Sequence, residues 1–175
     1  MTGRLALFAL GFITSTALSS AGCATPARAP APTTCLLYRL DRRFDKAERI
    51  EIGKAAASWR AMGACIAEGN GDVFVFRDTH ATDIPKKHKS KSDDPDTLAF
   101  WATAGRDIHM FMDRIPPERF RVVMTHEFGH ALGGQHVTNM IACLFPRVTD
   151  WCAMADGPVL QEDFDAITPS YRVDP

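Results

Sequence analysis

Residues 122–136 read VVMTHEFGHALGGQH, and five of them suit one piece of chemistry: His126, Glu127, His130, Gly133 and His136. On a helix, residues four apart project from nearly the same side, about one turn along the axis. His126 and His130 can therefore bring two imidazole nitrogens to one ion. Glu127 lies about 100° round from His126, close to such an ion without having to ligate it. A carboxylate there can take a proton from a water that the ion activates. The next residue on the same face is held too far along the axis to be a third ligand. Gly133 resolves this, because glycine adopts the left-handed conformation that ends a helix and turns the chain back. His136 then reaches the ion from another direction. Three imidazoles with an open fourth corner form the donor set of a hydrolytic Zn2+ site.

The surrounding sequence must supply the frame. IPPERF (115–120) leads into the histidine helix, expected over 118–132, with proline before it and Glu118 in its first turn. A second helix is expected over 45–62, where Ile52, Ala55, Ala56, Trp59 and Met62 share one face and Asp45 and Glu48 suit the N-terminal dipole. CLLYRL (35–40), DVFVFRD (72–78), TLAFWAT (97–103) and DIHMFMD (107–113) have the short apolar or alternating character of strands. GNG (69–71) marks a turn, and the polar stretch 79–96 a long exposed loop whose KKHKSK and DDPD runs compensate each other. The expected class is α+β, a sheet with helices packed on it.

The start of the chain bears on compartment. LALFALGFITSTAL (5–18) is an apolar run of fourteen, short for a membrane span and suited to a signal peptide over 1–22. SSAGC, ending at Cys23, resembles a bacterial lipobox, although Ser20 stands where leucine is usual. That resemblance implies a lipid on Cys23; a plain secretory cut after Ala21 is the alternative. Residues 23–33 read as anchor and Ala/Pro-rich tether, and 34–175 as one folded domain. Export follows, to the bacterial envelope as an outer-membrane lipoprotein, or by secretion. With Cys23 lipidated, four of the five cysteines remain, an even set for an oxidising compartment. Of three possible pairings, Cys35–Cys65 with Cys143–Cys152 closes a moderate loop within each part of the chain. Buried free thiols are the alternative. The formal net charge of −1 gives no reason to expect a nucleic-acid partner.

HEFGHALGGQH fits H-E-x-x-H-x-x-G-x-x-H and so resembles the extended zinc motif of the metzincin metalloproteases, in wording closest to the matrixin branch and its small bacterial members. The short H-E-x-x-H is weak by itself; the eleven-position form is specific. The resemblance implies a twisted mixed sheet with packed helices, one catalytic Zn2+ on His126, His130 and His136, and Glu127 as general base. It also implies a methionine in a tight turn under the metal. Met154, in WCAMADG, is the candidate, because Met140 lies only four residues past His136, too near for the chain to leave and return. LQEDFDAI (160–167) resembles the family's last helix, with Leu160, Phe164 and Ile167 inward. In this family an extended peptide lies along the sheet's edge strand, which by position falls on Leu98, Ala99, Phe100 and Trp101.

The resulting expectation is a monomeric zinc endopeptidase acting on a peptide or protein, held to a membrane through Cys23. A non-catalytic, zinc-stabilised peptide-binding module and a cell-wall peptidase are the alternatives. Methionines are more often core filler than site residues. His80, His88 and His109 read as exposed or structural, Asp163 and Asp165 as helix-start charges, and Tyr171 as a core or surface tyrosine. No compact run of oxygen ligands marks a calcium site.

Overall fold

The computed structural model of the protein describes residues 34–79, 96–139, 142–144 and 159–173. Cys23, His80, His88, Met140, Cys152 and Met154 lie outside the described residues. No described helix is long and apolar enough to cross a membrane.

The chain runs β1 (Leu36–Leu40), α1 (Lys46–Ala61), β2 (Ile66–Glu68), β3 (Val73–Asp78), β4 (Ala99–Ala102), β5 (Asp107–Phe111), α2 (Phe120–Ala131) and a short α3 (Gln161–Ala166). One turn of 3-10 helix, Pro117–Arg119, leads into α2. The five strands form one mixed sheet in the order β2-β1-β3-β5-β4. All neighbours are parallel except β4, which runs antiparallel to β5 with Phe100 opposite His109. The α+β class holds. The expected strand over 97–103 narrows to four residues, and β2, which the sequence reading did not assign, forms the edge opposite β4.

Each element follows from its residues. Asp45 caps α1 by accepting from the Glu48 amide, and the Glu48 carboxylate accepts from the Asp45 amide, both at 2.8 Å. This reciprocal box satisfies two amides that the first turn leaves without helical partners. Glu48 also takes a two-pronged ion pair from Arg77 of β3, tying the helix start to the sheet. Along the strands, alternate side chains face the helices. Leu36, Tyr38, Val73, Val75, Ile108 and Met110 thus meet Ile52, Ala55, Ala56 and Trp59 of α1 and Met124 and Phe128 of α2 in one buried cluster. Burying each large side chain there contributes roughly 1.5–3 kcal/mol. Met62, the half-buried C-cap of α1, packs against the same cluster.

The other sheet face carries a smaller cluster of Phe100, Ala102 and Phe111. His109 is buried there between Phe76 and Phe100, its ring stacked on both at 4.9 and 4.8 Å, with Nδ1 2.8 Å from Asp78 Oδ2. It is a structural histidine, as expected. The expected Cys35–Cys65 disulfide is present, joining the residue before β1 to the residue before β2. Cys143 is also disulfide-bonded, whereas Cys152 falls outside the described residues.

Candidate metal centre

Helix α2 is buried almost all round. Only Arg121 and His130 of its twelve residues escape full burial, as befits a helix threaded between a sheet and other segments. Its close packing rests on Gly129. A Cβ there would come within 2.5 Å of Leu144 Cδ2 and 2.7 Å of Trp59 Cζ2. Trp59 also donates its indole N–H to the carbonyl of Thr125 at 2.8 Å. His126 and His130 are thus mounted on a helix clamped from two sides.

The helix ends as its glycines suggest. Gly133 has φ +87°. Its amide bonds the carbonyl of His130 at 2.9 Å, and the Gly134 amide that of Gly129 at 2.8 Å, the pair of bonds of a Schellman C-cap. A Cβ on Gly133 would also overlap Thr168 Oγ1, so glycine is required twice over. The reversal delivers His136 to the first two rings. His126 and His130 Nε2 are 3.0 Å apart, and His130 and His136 Nε2 3.1 Å. One potential ligand atom from each of the three lies within 4.8 Å of the others.

Beyond α2 the chain doubles back at once. The Val137 amide bonds the carbonyl of Leu144 at 3.1 Å, and the Leu144 side chain packs at both Gly129 and Gly134. Leu144 thus lies beside the histidine helix, while Met154, the expected turn methionine, lies outside the described residues. Cys143, next to it, supplies a backbone carbonyl 2.6 Å from His126 Nδ1, and Gly134 does the same for His130 Nδ1 at 2.9 Å.

Those carbonyls decide the proton positions. A carbonyl oxygen can only accept, so both Nδ1 atoms carry hydrogen, and the neutral rings present bare Nε2 lone pairs to each other. Two lone pairs at 3.0 Å repel unless a cation lies between them. Two nitrogens bound to one tetrahedral zinc, at about 2.0–2.1 Å each, stand about 3.3 Å apart. The spacing found is within a few tenths of an ångström of that figure, and the donor set therefore fits a metal ion. Zinc and other imidazole-binding transition metals share this preference. Burial, and next the adjacent His130 ring, push the His126 pKa down to about 4, against a smaller upward pull from the bond to Cys143. His126 is therefore a neutral ligand at pH 7, with no proton to shed. His126 is 7% exposed and His136 is in the exposed class, so the cluster opens to solvent on the His136 side.

Glu127 follows His126 on the helix and is 4% exposed. The Leu98–Trp101 segment lies at a sheet edge, where β4 ends the order and the Leu98 carbonyl receives the Phe111 amide. Asp163 is the helix-start charge expected, but the sequence reading missed its burial and its further partners. It is fully buried and accepts from the amides of Cys143, Leu144 and Leu160 at 3.0, 2.7 and 2.9 Å. Only its position three residues after Leu160, in the first turn of a helix, could have hinted at amide binding.

What fold and site define together is an α+β domain with a three-histidine cluster fit for a metal ion. Compared with known proteins, the chain matches no family model and no curated sequence.

Proposed function

We propose that the protein is a zinc-dependent endopeptidase of metzincin type, exported and anchored through a lipid on Cys23. The observation that carries the reading is the meeting of three histidine Nε2 atoms around one point, two with tautomers fixed by backbone carbonyls, beside a buried glutamate. A structural metal site gains little from an unliganded carboxylate next to an open coordination position. Zinc, when bound, supplies a Lewis acid that polarises the scissile carbonyl and makes water more acidic. Glu127 accepts the proton of the attacking water and delivers it to the departing nitrogen. His126 and His130 keep their Nδ1 protons on the carbonyls and take no part in proton transfer. The substrate lies extended along β4, whose outer edge offers backbone groups for one further strand.

The test is hydrolysis of a mixed peptide library by the purified zinc-loaded protein beside Glu127→Ala. Cleavage should fall about 10²–10⁴-fold in the variant, with zinc content unchanged. Zinc retained by the wild type with no cleavage of any peptide would favour a binding module. Cleavage of cell-wall fragments alone would favour a wall peptidase.

A further inference from the structure

Asp163 has no part in the reaction just described, yet it is the most deeply enclosed carboxylate of the described residues, with 0% exposure. Its two oxygens take three backbone amides: Cys143 and Leu160 on Oδ2, Leu144 on Oδ1. A carboxylate without protons is suited to this role, because every partner is a donor. The amides come from two separate segments, the start of α3 and the turn at 142–144. Asp163 therefore pins that turn to α3.

The same turn faces the other way onto the histidines. Cys143, whose N–H is held by Asp163, offers its C=O to His126 Nδ1 at 2.6 Å. The path has two hydrogen bonds joined by the backbone of Cys143: carboxylate to its N–H, and its C=O to the imidazole. Groups that hold the far nitrogen of a ligating histidine set its ring orientation and tautomer, and their loss typically weakens metal binding 10–100-fold. We propose that Asp163 is a positioning residue for His126, acting through the backbone of Cys143. This deepens the metal-site reading and rests on it.

Asp163→Asn keeps the size and removes the charge. One end of its amide is then an NH2 that must face an N–H, either that of Leu144 or those of Cys143 and Leu160. Asp165→Asn, at an exposed site on the same helix, is the control. Two readouts apply: zinc affinity by competition with a chromophoric chelator, and the imidazole ¹⁵N resonances of His126 in the metal-free protein. Asp163→Asn should bind zinc about 10–100-fold more weakly and shift His126 from its Nδ1–H form, while Asp165→Asn changes neither. A folded Asp163→Asn with zinc affinity within about two-fold of wild type and unaltered His126 resonances overturns the proposal.

Should Asp163→Asn not fold, the coupling is read in reverse, since linkage is reciprocal. Metal-free His126→Gln should then exchange the Cys143, Leu144 and Leu160 amides faster than the wild type does, with the core amide of Val75 unchanged. Equal rates at those three amides would reject the idea. A wild type that binds no zinc would remove the metal reading alone, because the ¹⁵N and exchange measurements judge Asp163 without metal.

Discussion

Trp59 and Thr125, 66 residues apart, are joined by an indole N–H donated to a backbone carbonyl at 2.8 Å. The bond meets α2 at the residue before His126. Trp59→Phe removes it and leaves a gap where the second ring stood. A loss of roughly 2–4 kcal/mol in unfolding free energy is expected, measured by chemical denaturation of the metal-free protein. An unaltered denaturation midpoint would show that the clamp contributes nothing.

Gly133 carries two penalties against any side chain, its φ of +87° and the nearness of Thr168 Oγ1. Gly133→Ala should destabilise the protein by more than about 1 kcal/mol and weaken zinc binding by displacing His136. In a Thr168→Ala background the overlap with Oγ1 is removed, while a 3.1 Å approach to the Cβ of residue 168 and the conformational part stay. A double-mutant cycle should thus give a smaller cost for Gly133→Ala when Thr168 is absent. Strictly additive costs would place the whole effect in the backbone.

For His126, the folded-state pKa of about 4 lies below the ordinary 6.5. Between those values the unfolded chain binds the proton that the folded chain refuses, so stability falls with falling pH. The His126 contribution is fully present above about pH 6.5 and is lost on the way down to about pH 4, up to about 3 kcal/mol in all. Denaturation of the metal-free protein across that window should show a steeper decline for wild type than for His126→Gln. Parallel curves would contradict the assignment.

The Cys35–Cys65 bridge spans 30 residues and encloses β1, α1 and the approach to β2. By the chain-entropy estimate, replacing both cysteines with serine should cost about 3–4 kcal/mol. Thermal melts of the double variant beside the oxidised wild type would measure it. Matching melts without any loss would mean that the unfolded chain is already compact there.

Much of the architecture is written in local pattern. The face of Ile52, Ala55, Ala56 and Trp59, the Asp45–Glu48 start and the Gly133 stop act within a turn or two of chain, and each is found where the residues suggest. β2 escaped because three residues are too few to show a period, and pairing with β1 is what makes Ile66–Glu68 a strand. The choice between Met154 and Met140 falls on residues outside those described; what the structure does add is that Val137 bonds Leu144, eight residues past His136, which packs against the helix. Asp163 was legible as a helix-start charge, but not its hold on the amides of Cys143 and Leu144, which leave no mark in side-chain spacing.

An all-nitrogen pocket also has consequences for which ion fills it. Three imidazoles hold copper(II) more tightly than zinc in the general order of divalent affinities, and among the described residues no sulfur or carboxylate joins the cluster to reverse that ranking. On the proposed reading, occupancy follows supply weighted by affinity, so copper need not be the richer ion to fill the site. A preparation made in copper-containing medium should come out loaded with copper and need stripping and refilling before its chemistry can be judged.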